Sequence, residues 1–139
     1  MKDRIVHPRP LSTDLAALLL RLIFGGLFVY HGYDKIEHYD LYLSMTKPII
    51  GLEPKLAYNL IIFAEFVCGF FVAVGFLTRI TVLPLMFSMG VAVFVAHAND
   101  NFQGKELAFL FWLLTFVVFV LGSGRFSIDA LLFKRKSKG

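Results

Sequence analysis

Residues Leu15 to Tyr33 read LAALLLRLIFGGLFVYHGY, an apolar run interrupted by a single charge, Arg21. A helix rises about 1.5 Å per residue and the hydrocarbon layer of a bilayer is about 30 Å thick, so about 20 such residues cross it. Ser12, Thr13 and Asp14 stand at the start of the run, where their side-chain oxygens can accept from the free N–H groups of a first helical turn. A first membrane span is therefore expected over residues 13–33.

Three further runs repeat the pattern. Residues 57–77 carry Glu65, residues 80–97 carry Pro84 near their start, and residues 106–121 end at Gly122-Ser123-Gly124. Thr78 and Arg79 leave room only for a very tight turn between the second and third runs. Proline inside a span removes one backbone hydrogen bond, which a membrane bundle tolerates when neighbours satisfy the freed carbonyl. The 139 residues are 58% hydrophobic and 17% charged, more apolar than a soluble core can absorb. Four spans use roughly 80 residues and leave only loops and tails. The expected fold class is all-α, an integral membrane four-helix bundle forming one domain over 1–139. The segment 34–55 is too polar to span, yet it holds Tyr39, Leu41, Tyr42, Leu43 and Met45 and is expected to lie on the membrane surface.

The net charge of +4 does not imply nucleic acid, because the basic residues gather in the tails and one turn instead of along a helix face. Lys2, Arg4, Arg9, Arg79, Arg125, Lys134, Arg135, Lys136 and Lys138 fall on one side of the four-span topology; Lys35, Lys47, Lys55 and Lys105 fall on the other. Lys and Arg accumulate on the cytoplasmic side of membrane proteins. Both termini are therefore expected in the cytoplasm of a multi-pass cell-membrane protein, with loops 34–56 and 98–105 facing outward. The sequence opens MKDRIVHPRP, like the n-region of a signal peptide, but no small-residue cleavage site follows and Leu15 to His31 is too long for an h-region. The single cysteine, Cys68, rules out an intrachain disulfide and is expected to pack as a small apolar residue.

Ionisable groups inside a bilayer are costly, about 2.5–3.5 kcal/mol for Arg, and normally face the bundle interior with a partner. Arg21 and Glu65 each lie eight residues into an expected span, from opposite membrane faces, so long side chains could join them as a buried ion pair. Two readings of that pair stand open: a structural clamp between the first two spans, or a buried charge at a ligand or proton site. A second set gathers at the outward ends: His31 and Lys35 close the first span, His97 closes the third, and Glu106 opens the fourth, with Glu65 the deepest member. Each alone is an ordinary interfacial residue. Together they form a candidate ligand or proton site, since perturbed titrating groups gather where function resides and His exchanges protons near neutral pH. Two histidines do not specify haem, and no spacing among His31, His97 and Glu106 is a known metal-ligand pattern, so neither haem nor a metal is expected.

Three motifs stand in order along the chain: LRLIFGGLFVYHGYDK (20–35), EFVCGFFVAVGFLTR (65–79) and GSGRFSIDALL (122–132). On these, from Leu20 to Leu132, the chain resembles the DoxX family of small bacterial and archaeal membrane proteins. Arg21, His31, Gly32 and Lys35 match the family pattern of the first helix, and Glu65, Gly75, Thr78 and Arg79 that of the second and its turn. Cys68 departs from it, since the family often has a small residue there. The resemblance implies a four-helix membrane protein linked to redox chemistry, some relatives being named as subunits of quinone-reducing sulfur oxidoreductases and others tied to oxidative or thiol stress. It does not decide whether the chain is itself an enzyme. The expected function is a membrane subunit of a redox assembly, in contact with the lipid bilayer, a partner redox subunit and, as a further candidate, a second copy of itself. A quinone head group would sit between His31, Glu65, His97 and Glu106. The alternative is a non-catalytic scaffold or carrier of a small apolar molecule.

Overall fold

A computed structural model describes residues 6–133. Lys2, Arg4 and the basic residues of 134–139 lie outside the described residues, so the charge count rests there on sequence alone. Among the described residues four helices are long and apolar enough to cross a membrane: α1 (Thr13–Glu37), α3 (Pro54–Val74), α4 (Thr78–Ala96) and α5 (Phe102–Leu121). A short surface helix, α2 (Tyr39–Met45), follows α1, and another, α6 (Ile128–Phe133), follows α5.

Local chemistry sets the boundaries. The Ser12 hydroxyl accepts from Leu15 N at 3.1 Å to start α1, and the helix runs four residues past its expected end because Lys35 finds a partner, described below. Pro54 opens α3 at a position where its missing N–H costs nothing. Asn101 caps α5 through Gly104 N at 3.0 Å, which draws its start forward from Glu106 to Phe102. The turn between α3 and α4 is Gly75-Phe76-Leu77, and Thr78 is already helical, which corrects the expected Thr78-Arg79 turn. Gly75 ends α3 at φ 76°, and Leu77 sits at φ 46°, a left-handed conformation that costs a bulky residue about 1–3 kcal/mol. The Asp129 carboxylate offsets it, accepting from Leu77 N at 2.7 Å and Thr78 N at 3.2 Å and thereby capping α4 from a distant part of the chain.

The spanning helices form a ring in the order α1, α3, α4, α5, with the most extensive packing between α1 and α3 and between α4 and α5. Glycine sets the α1–α3 spacing. A Cβ at Gly25 would lie 2.6 Å from Gly69 O and one at Gly32 2.7 Å from Phe66 N, so the two backbones touch. The core holds Phe24, Phe28, Val72, Val82, Leu85, Phe111 and Val118, with the rings of Phe24, Phe28 and Phe111 4.8 to 6.2 Å apart. Cys68 is buried among them. Only 17% of the hydrophobic window of α5 is buried, so most of its apolar surface has to meet lipid or another apolar partner.

Arg21 is 1% exposed but does not pair with Glu65. It donates from Nη1 to Ala73 O at 3.0 Å and from Nη2 to Phe126 O, tying α1 to α3 and to the segment that follows α5. The expected ion pair fails because of register. With Gly25 against Ala73 and Gly32 against Phe66, Arg21 lies level with the Gly75 turn and Glu65 level with Gly32. That is about eleven residues of helix, or ~16 Å, beyond any side chain's reach.

Candidate functional site

The site begins with the end of α1. The Gly32 contact with Phe66 presses the C-terminal turns of α1 against α3. Tyr58 OH donates to Lys35 O at 2.8 Å and holds that last turn in place. Glu65 sits on α3 in a π-helical stretch, Phe63–Cys68, where one extra residue per turn alters which face the side chain meets. Lys35 Nζ and Glu65 Oε2 are 2.7 Å apart, with the carboxylate side chain 5% and the lysine side chain 27% exposed. The ammonium thus satisfies a carboxylate that would otherwise be an uncompensated buried charge.

This pair forms part of the wall of a cavity of about 540 Å³ between α3 and α4. Ala57, Leu60, Ile61, Phe63 and Ala64 line it from α3; Pro84, Phe87, Ser88, Met89, Val91 and Ala92 face them from α4. A second π-helical stretch, Ala92–Ala96, ends α4 and places His97 in the cavity lining. Ile49, Ile50 and Leu52 cover it, in a turn closed by a bridge between Ile49 and Leu52 with Ile50 at φ 45° and Gly51 at φ 75°. The cavity is lined by apolar side chains apart from Lys35, Glu65, His97 and Ser88. His97 Nδ1 lies 2.6 Å from Asp100 Oδ2, which orients the ring; among the described residues its other nitrogen has no partner.

Of the five candidates, Lys35, Glu65 and His97 come together here. His31 does not: its ring packs against Phe111 of α5 at 6.1 Å and Tyr30 at 5.7 Å. The imidazole is too short to leave that face, whereas Lys35, one turn on, has four methylenes with which to reach α3. Glu106 is exposed in the second turn of α5 and lines no part of the cavity. The pocket expected between His31, Glu65, His97 and Glu106 is therefore replaced by one between α3 and α4 with Lys35 in its wall. Among the described residues no three His, Cys, Asp or Glu side chains are placed to share a metal ion.

Several contributors were not anticipated. Ser88, Met89 and the Ile49–Leu52 cover carry no motif, and neither π-helical stretch has a sequence signal. Pro84 was the one visible mark on α4, and it does lie on the cavity wall.

Beside α1, Asp34 accepts from Tyr42 OH at 3.1 Å and lies 3.2 Å from His38 Nδ1, so a polar cluster ties α2 to the end of α1. The hydrogen bond to the Asp34 carboxylate, reinforced by its charge, raises the Tyr42 phenol above the ordinary tyrosine value.

Residues 16–98 match the sequence model of the DoxX family. The chain belongs to the DoxX family. The matched stretch contains Arg21 and His31 and all four polar residues of the cavity, Lys35, Glu65, Ser88 and His97, and stops short of Glu106. The chain is 29% identical over 129 residues to a Bacillus subtilis (strain 168) protein named "Putative oxidoreductase CatD", covering 92% of this chain and 95% of that one. It is 32% identical over 126 residues to an Escherichia coli (strain K12) protein named "Inner membrane protein YqjF", covering 88% and 95%. No solved structure matches this DoxX chain.

Proposed function

We propose that this DoxX protein is the membrane-embedded ligand-binding subunit of a redox assembly and that it holds a quinone head group in the α3–α4 cavity. The observation that carries the reading is a charged pair, Lys35 and Glu65, in the wall of an otherwise apolar cavity of about 540 Å³, within the range of small-molecule sites. A quinone needs what this arrangement offers: an apolar container for its ring and tail, a donor for a carbonyl oxygen, and groups that carry protons. Reduction to the quinol takes two electrons and two protons. In this reading the electrons come from a partner redox protein, the Lys35 ammonium donates a hydrogen bond to one carbonyl, and Glu65 and His97 relay the protons. A relative bearing an oxidoreductase name supports the redox link. The pole of residues 38–53 and 97–101, beside this cavity, faces outward in this reading, with both termini in the cytoplasm.

The largely apolar lining also favours a second reading, in which the protein carries a small apolar molecule and the charged pair only fixes packing. Calorimetric titration of the purified protein with a short-chain quinone separates the two. The redox reading expects saturable binding that weakens at least tenfold, about 1.4 kcal/mol, in Glu65→Gln and in His97→Ala, with both variants still folded. Binding that neither substitution alters, or no binding, supports the carrier reading and sinks the quinone site.

A further inference from the structure

The opposite pole, where α1 and α4 begin and α3 and α5 end, holds a second cavity of about 650 Å³. It lies between the α3–α4 turn, the Gly122–Arg125 turn after α5, and α6. Two cations and two carboxylates line it: Arg79, Arg125, Asp14 and Asp129. The carboxylates are engaged. Asp129 accepts both amides at the start of α4, and Asp14 Oδ1 accepts from Arg125 N at 2.9 Å. The cations retain capacity. Arg79 uses Nε on Phe119 O at 3.0 Å and Nη2 on Val120 O at 3.4 Å, and among the described residues its Nη1 has no partner. Among the described residues the Arg125 guanidinium has no hydrogen-bond or ion-pair partner.

Thr78 also lines the cavity, but its hydroxyl is sealed beneath the surface and adds no donor there. The donors on offer are those of the two exposed guanidinium groups, Arg79 and Arg125. They match a phosphate, which offers several acceptor oxygens and a negative charge. The rim adds the rest of the ligand's description. Ile80 and Phe133, 62% and 53% exposed, and Leu121 stand beside the polar floor, an apolar edge suited to acyl chains at the end of a spanning helix.

We propose that this cavity binds a phosphate group, presented by a membrane phospholipid whose acyl chains lie against Ile80, Leu121 and Phe133. The site is separate from the α3–α4 cavity and does not depend on the quinone reading. The test uses the full chain in a neutral detergent, titrated with dioctanoyl phosphatidylglycerol, with the phosphate-free dioctanoylglycerol, and with inorganic phosphate. Saturable binding of the phospholipid alone is expected, at least tenfold weaker in Arg79→Gln/Arg125→Gln. Arg125→Gln should keep its melting temperature, because only the backbone of Arg125 is engaged. Arg9→Gln removes a charge ahead of α1, outside the cavity, and should change affinity less than twofold. If inorganic phosphate binds as tightly with the same dependence on the arginines, the phosphate site stands and its source is soluble. If neither phosphate probe saturates, if dioctanoylglycerol binds as well as the phospholipid, or if Arg9→Gln weakens binding as much as Arg125→Gln, the proposal is wrong.

Discussion

Two double-mutant cycles distinguish the charge pairing seen in the structure from the one that helix depth alone suggests. Removing one partner of a fully buried ion pair costs about 3–5 kcal/mol, because the survivor is left as an unpaired buried charge. Glu65 is nearly buried, but the Lys35 side chain is 27% exposed and partly hydrated. We therefore expect Lys35→Met to cost about 2–3 kcal/mol after discounting for solvent. Adding Glu65→Leu should recover about 1–2 kcal/mol of that, so the coupling is at least as large. Arg21→Met strands two carbonyls, Ala73 O and Phe126 O, at about 1–3 kcal/mol each when fully desolvated. Arg21 and Glu65 are ~16 Å apart along the helix axes, and sites that distant add to within about 0.5 kcal/mol. Reversible unfolding in mixed detergent micelles reads all the variants. A coupling below 0.5 kcal/mol for Lys35 with Glu65, or above it for Arg21 with Glu65, would refute the register on which the site rests.

The α1–α3 contact makes a prediction at neighbouring positions. Gly25→Ala sets a methyl 2.6 Å from Gly69 O and should destabilise by about 1–3 kcal/mol, whereas Gly26→Ala, with nothing within 4 Å, should be neutral or stabilising by up to about 1 kcal/mol in the same unfolding assay. For Tyr42, phenol absorbance should titrate above the ordinary value near 10 and fall towards it in Asp34→Asn. Because the folded-state value is raised, the contact holds α2 to α1 in full below about pH 10 and is lost as the pH climbs through the raised value. Reporter fusions should place position 139 in the cytoplasm and residues 98–105 outside, and an outward C-terminus would overturn the topology.

The four spans were legible because each is a long apolar run, and membrane solvent tolerates no spanning element but a helix or a closed barrel. Their ends were less so. Charged residues at 34–37 looked like loop, but a lysine that finds a buried carboxylate extends a helix, and that partner is remote in sequence. The same remoteness hid the Arg21 contacts, since Phe126 lies 105 residues away and offers only a backbone carbonyl. Residue depth gave Arg21 and Glu65 as a pair because it measures each helix from an assumed end; the glycine contacts fix the actual slide of α1 on α3. Lys35, Glu65 and His97 were legible as outliers of charge in apolar surroundings. Which helices enclose them was not, because cavity walls of Leu, Ile and Phe read the same as lipid-facing surface.

The most direct test of the α3–α4 site is to irradiate the purified protein with a photoreactive short-chain quinone and map the attachment by peptide mass spectrometry. Label on residues 57–65 and 84–97, suppressed by excess unlabelled quinone and reduced in Glu65→Gln, is the predicted result. Label confined to the α1 and α5 faces around His31 and Glu106, or spread over all spans without competition, would contradict it.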